Sequence, residues 1–136
     1  MTEALAAWTP RALSILRIVT GLMFIEHGMA KYLGFPAVPS LASVQPLSMP
    51  GIGGMFELIG GALLILGLFT QPVAFILSGE MAVAYFIGHA PHGNFLSPML
   101  NEGEPAVLYC FIFLLLSVTG AGCWSVDASR ASASRR

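Results

Sequence analysis

The chain has 136 residues, a net charge of −1, 56% hydrophobic side chains and only 10% charged ones. Soluble domains carry about 25% charged residues, so this composition, with a mean hydropathy of +0.79, excludes an ordinary soluble domain and predicts an integral membrane protein. The near-neutral charge argues against a nucleic-acid partner, and Cys110 and Cys123 form neither a CxxC nor a metal-type spacing.

The opening stretch MTEALAAWTPRALS has an acidic residue near its start and no small-residue cleavage site after the apolar run that follows, so a removed signal peptide is not expected. Four apolar runs come next, over about 11–33, 53–69, 72–89 and 103–120. Each is about 17–23 residues, enough to cross ~30 Å of hydrocarbon at about 1.5 Å per helical residue. Pro10, Pro50 and Pro72 fall at or before the run starts and Pro105 in the first turn of the fourth run, where a missing N–H does no harm to a helix. Membrane β-strands would be shorter and would alternate in polarity. The expected fold is therefore all-α, a four-helix transmembrane bundle forming a single domain over residues 1–127.

The connections follow from the breaks. Residues 34–52, GFPAVPSLASVQPLSMPGI, contain Pro36, Pro39, Pro46 and Pro50 and no charge, and read as a long loop. TQP at 70–72 reads as a tight turn between antiparallel neighbours, and 90–102 forms the third connection. The segment 128–136 is polar and rich in small residues, and is expected to be a disordered tail. Arg11 flanks the first run and Arg130, Arg135 and Arg136 follow the last, whereas the two long loops have no Lys or Arg. The positive-inside rule then places both termini in the cytoplasm.

Ionisable residues inside the runs are the informative departures, because Asp, Lys or Arg at the centre of a span costs about 2.5–3.5 kcal/mol on insertion scales. In FIEHGMAKYLG (24–34) Glu26, His27 and Lys31 lie in the outer half of the first run. With the expected orientation, Glu57 lies about 6 Å below the outer end of the second helix, and Glu80, His89 and Glu104 fall in the middle or outer part of the other two. Arg17, Thr20, Phe24, His27 and Lys31 follow one stripe at +3/+4 spacing. Glu26 is turned aside from it, toward a neighbouring helix. Glu80 is about 180° around an ideal helix from His89, so the two are not expected to face one site. Gly53, Glu57 and Gly61 share a face, where small residues let helices approach closely. Bland readings stand beside these. Lys31 resembles a snorkelling lysine, Arg17 one that snorkels or pairs with Glu80, and Glu104 a residue favouring a helix N-terminus. The whole set also fits a structural salt-bridge network that binds nothing.

The segments LRIVTGLMFIEHGMAKYLG (16–34), FELIGGALLILGLFTQPVA (56–74), MAVAYFIGHAP (81–91), NEGEPAVLYCFIFLLL (101–116) and GAGCWSVD (120–127) resemble the DoxX family of small bacterial membrane proteins. Together HGxxK, ExxGG with LGLFTQP, and NxGE carry the resemblance. It implies a four-helix protein of the bacterial inner membrane and a link to quinone-dependent oxidoreductases. Carried over motif by motif, it marks His27, Lys31, Glu57, His89, Asn101, Glu102 and Glu104 as the shared polar positions.

Three functions compete. In the first, a quinone-linked redox subunit, His27, Lys31, Glu57, His89 and Glu104 are the candidate catalytic groups. Phe24, Tyr85 and Asn101 are the candidate contacts to the quinone. With no flavin fold or iron–sulfur spacing, the electrons would come from a cofactor or a partner redox subunit. In the second, His27 and His89 with Glu57 and Glu104 bind a metal or haem. The third is a small-molecule transport or assembly subunit. The lipid bilayer is a partner in all three readings, and a homo-oligomer is left open.

Overall fold

The computed structural model describes residues 2–134; Arg135 and Arg136, counted above in the charge asymmetry, lie outside them. The described residues form helices and loops only. In chain order they are α1 (Thr2–Ala6), α2 (Thr9–Leu33), a 3-10 turn (Pro39–Leu41), α3 (Met49–Leu66), α4 (Thr70–Ala84), a π-helical turn (Tyr85–His89), a 3-10 turn (Ala90–His92), α5 (Glu104–Thr119) and α6 (Val126–Ala133). Three helical segments are long and apolar enough to cross a membrane: Glu3–Leu33, Met49–Leu66 and Thr70–His92. Helix α5 is apolar but has 16 residues, about 24 Å, which is shorter than the ~30 Å hydrocarbon layer. The protein is a multi-pass, all-α membrane protein.

Local sequence explains the boundaries. Gly34 ends α2 and Gly67 ends α3, both in the left-handed region at φ 65° and 66°, which glycine enters without a side-chain penalty. Ser48 caps α3 by accepting from the Gly51 N–H at 3.2 Å, with Pro50 in the first turn. The helix therefore starts one turn before the expected residue 53, and Glu57 lies about 12 Å along it rather than about 6 Å. Thr70 already belongs to α4, so the chain reverses at Gly67–Phe69, just before the TQP segment.

Helix α2 packs chiefly on α3, and α4 on α5, with a looser seam between α3 and α4. The α2–α3 contact is built on glycine. A Cβ at Gly28 would lie 2.8 Å from the Gly54 carbonyl oxygen, and one at Gly61 would lie 3.0 Å from the Ile25 backbone nitrogen. Backbones can meet this closely only where side chains are absent. Phe24, Leu64, Leu77, Met81, Tyr109, Phe113 and Leu116 form the buried core. Phe24 packs edge-on against Phe113 with ring centroids 4.9 Å apart, and lies 5.3 Å from Tyr109.

At one end of the bundle the chain termini and the α3–α4 turn lock together. Arg17 is fully buried. It neither snorkels nor pairs with Glu80, as the sequence suggested. Its Nε donates to Ala121 O at 2.8 Å and its Nη1 to Ile65 O at 2.8 Å; further bonds reach Leu64 O and Trp124 O. The α3 C-terminus is thus tied to the strap after α5, where a cation complements the unsatisfied carbonyls and the helix dipole. Asp127 does the converse for α4, its carboxylate accepting from Phe69 N at 2.9 Å and Thr70 N at 2.8 Å. The segment expected to be a disordered tail is helical over Val126–Ala133. Ser125 caps it, accepting from Ala128 N, and the Arg130 guanidinium sits 5.4 Å from the Phe69 ring centroid.

Candidate functional site

The opposite end of the bundle, where the long loops gather, holds the polar side chains. Lys31 Nζ donates to Glu57 Oε1 at 2.6 Å, and both side chains are largely buried, at 11% and 6% exposure. This is the one ion pair among the described residues. Helix packing creates it. The glycine contact sets the rotation of α2 so that Gly21, Gly28 and Lys31 turn toward α3, and the Lys31 stem lies over Gly54, 3.0 Å from where a Cβ would stand.

The same rotation moves His27 off the site. The inward stripe runs through Gly28, one residue and about 100° away. His27 is exposed, with its Nδ1 3.0 Å from Met23 O and its ring 6.1 Å from that of Tyr109. Glu26 is exposed as well and makes no ion pair among the described residues, contrary to the expected pairing with a neighbouring helix.

Lys31 and Glu57 line a cavity of about 640 Å³ between α3 and α4. Glu80 and His89 line it too, and its apolar walls include Phe56 and Met81. The expectation that Glu80 and His89 point apart assumed an ideal helix between them. The π-helical turn at Tyr85–His89 carries more residues per turn and so withdraws part of that rotation. Gly53 admits Glu80 to the site, since a Cβ there would lie 3.1 Å from Glu80 Oε1. Glu57 Oε2 and Glu80 Oε2 are buried without a hydrogen-bond partner. Buried carboxylate oxygens are rarely left so, and both belong to residues that line the cavity.

The other predicted site residues have different positions. His89 is at the cavity, and its Nδ1–H donates to the Asn101 carbonyl at 3.2 Å. With Nδ1 protonated, Nε2 carries the lone pair of the neutral ring. Asn101 does not line the cavity. Its Oδ1 accepts from Gly103 N at 3.0 Å, and its Nδ2 donates to Tyr85 Oη and Asn94 O. Tyr85 Oη in turn donates to Phe95 O at 2.7 Å. Tyr85 and Asn101 thus fold the loop that holds His89, and neither lines the cavity. Phe24 is in the core at 1% exposure. Glu102 and Glu104 are exposed at the start of α5, away from the cavity. Among the described residues no three His, Cys, Asp or Glu side chains gather in metal-binding geometry, and His27 and His89 do not share the cavity. Sequence reasoning underrated Glu80 and missed Gly53 as its companion. The signal available was a carboxylate in mid-span, which needs a partner wherever its helix turns.

Known proteins add context. A Haemophilus influenzae protein of uncharacterised function is 46% identical over 127 residues, covering 90% of this chain and 93% of its own length. The Escherichia coli inner membrane protein YphA is 31% identical, with 87% of this chain and 89% of its own covered. A Bacillus subtilis relative named "Putative oxidoreductase CatD" is 28% identical over 83% of this chain and 82% of its own. No solved structure matches the chain. The family model of DoxX matches residues 12–90, the stretch that supplies every side chain lining the cavity, and the chain belongs to the DoxX family.

Proposed function

We propose that the protein is a membrane subunit of a quinone-linked oxidoreductase in the bacterial inner membrane, and that the cavity between α3 and α4 receives the quinone head group. The observation that carries this reading is the buried Lys31–Glu57 pair facing an apolar cavity whose flanking Ile52, Ile76, Val83 and Ile87 are themselves exposed. A lipid-soluble molecule would enter past those side chains from the bilayer.

The donor set fits such a head group. A quinone has two carbonyl oxygens, each an acceptor; Lys31 has three N–H donors, of which Glu57 takes one. Two carboxyl groups, Glu57 and Glu80, stand against one ammonium, so a proton or a ligand donor must balance the second acid in a low-dielectric site. The Nε2 of His89 supplies a group able to accept or pass a proton. A quinone, when bound, supplies the two-electron, two-proton chemistry, and its electrons come from a partner redox subunit or cofactor. This chain orients the head group and handles its protons. The named relatives fit this reading, one being an inner membrane protein and one bearing an oxidoreductase name. The arginine distribution orients the loop end outward, with both termini cytoplasmic.

The test is equilibrium binding of a tail-less benzoquinone analogue to the protein in lipid nanodiscs. Lys31→Met is expected to weaken binding about tenfold or more, the worth of a charged hydrogen bond, whereas His27→Ala leaves it unchanged. Absence of binding by the unaltered protein, or binding indifferent to Lys31→Met, would sink the proposal.

A further inference from the structure

The head-group cavity does not end at its apolar wall. A second opening of about 360 Å³ continues along the seam between α3 and α4. The two share Ile52, Phe56 and Ile76. From there the second runs to Leu63 on α3 and Val73 on α4. Between Ile52 and Leu63 an α-helix rises about 16 Å, so the trough leads from the head-group cavity deep into the bundle's lipid-facing side. No titratable or hydroxyl-bearing side chain lines it. Its floor depends on Gly60, where a Cβ would come within 2.8 Å of both Leu77 methyl groups. The seam is open because α3 and α4 are each committed to another helix, α3 to α2 and α4 to α5.

Polarity along this route changes once. All of its ionisable groups, Lys31, Glu57, Glu80 and His89, are in the first cavity, and none is in the second. Such a division matches a molecule with a polar head and one long apolar tail. We propose that the trough holds the tail of the same molecule whose head occupies the polar cavity, so that the ligand is a tailed, lipid-borne amphiphile rather than a small water-soluble compound. This rests on the head-group reading above. Continuity between the two openings selects the occupant. Lipid chains are as apolar as a ligand tail, so the trough offers no hydrophobic gain over bilayer. What it offers is shape and direction, fixing how the anchored molecule lies.

The test uses the full chain in nanodiscs and two benzoquinone probes, one tail-less and one with a long prenyl tail carrying a photoactivatable diazirine near its far end. Photolabelling of the unaltered protein is expected on peptides containing Ile59, Leu63 or Val73. It should fall about tenfold when unlabelled tailed or tail-less analogue is in saturating excess. Val73→Phe, which fills the trough, is expected to keep binding of the tail-less probe and lose the trough labelling. Labelling spread over lipid-facing residues such as Leu22, Phe111 and Val118 and not competed by either analogue means bulk acyl chains only, and overturns the inference. Tail-less binding with specific labelling elsewhere also overturns it and leaves the head-group reading standing. No tail-less binding to the unaltered protein overturns both. Should Val73→Phe lose tail-less binding too, the labelling of the unaltered protein decides.

Discussion

Lys31 and Glu57 show how one contact changes the standing of two charges. Alone, each would be an uncompensated ion in a membrane helix; at 2.6 Å each supplies the other's counter-charge. Removing one partner of a buried pair strands the other, at about 3–5 kcal/mol, whereas replacing both by apolar residues is often nearly neutral. Lys31→Met and Glu57→Gln alone are therefore expected to lower the unfolding midpoint in detergent more than the double variant Lys31→Met/Glu57→Leu does. The double variant should still fail to bind the quinone analogue, which separates a binding site from a purely structural network. A stable double variant that binds as well as the unaltered protein would assign the pair to folding alone. Lys31 read equally as a snorkelling lysine, whereas that Glu57 needed a partner was legible in the sequence. That they are each other's partner was not, since they are 26 residues apart and only the α2–α3 packing brings them together. For His27 the same residue type and a plausible stripe pointed inward, yet the ring faces out, because one step along a helix turns a side chain through about 100°.

The glycines and the π-helical turn decide these rotations at the level of whole helices. Gly28 and Gly61 let α2 and α3 touch along their backbones, and that contact leaves one rotation of α2 available. Gly28→Ala would set a Cβ 2.8 Å from a backbone oxygen and Gly61→Ala one 3.0 Å from a backbone nitrogen, neither of which can yield as a side-chain tip does. Each is expected to cost about 1–3 kcal/mol through overpacking, read as a lower unfolding midpoint, and to weaken quinone binding because Lys31 shifts with α2. Gly79→Ala is the matched control, with open space around its Cβ, and should lower neither, the helix propensity of alanine acting if anything to raise the midpoint. In the sequence the close-packing role was visible as a Gly-rich face. The π-turn was not, since YFIGH has no composition that distinguishes it from an α-helical turn. Its effect, bringing Glu80 and His89 to one cavity, arises where α4 meets the loop stitched by Tyr85 and Asn101.

Across the whole molecule the two ends have opposite tasks. The terminal end is closed by Arg17 and Asp127, each gripping the backbone at a helix end; the loop end carries the cavity. Deleting residues 126–136 removes Asp127 and the cap of α4, worth about 0.5–2 kcal/mol, and is expected to lower the unfolding midpoint; a frayed tail would be removed without effect. Asp127→Ala should reproduce most of that loss. Cys123 is exposed beside this lock and reports on orientation. In a Cys110→Ala background it is expected to resist a membrane-impermeant maleimide in intact spheroplasts and to react once they are lysed, whereas a cysteine placed at Asn94 should react in both. Reversed labelling would invert the assignment of the loop end to the outer face.

Composition and hydropathy alone determined that this is a helical membrane protein and roughly where its apolar segments lie, because transfer from water to lipid is a sum over residues that needs no neighbours. The positions of Glu57 and Glu80 also determined that these carboxylates need company, since a mid-span charge is costly in any fold. Which group meets which, and which faces lipid, was decided by the tertiary structure. Those outcomes depend on helix rotation, on an added residue per turn near the end of one helix, and on backbone carbonyls waiting at the end of another. Arg17 shows the limit most plainly: its partners are four main-chain oxygens, which no pattern of side chains can announce.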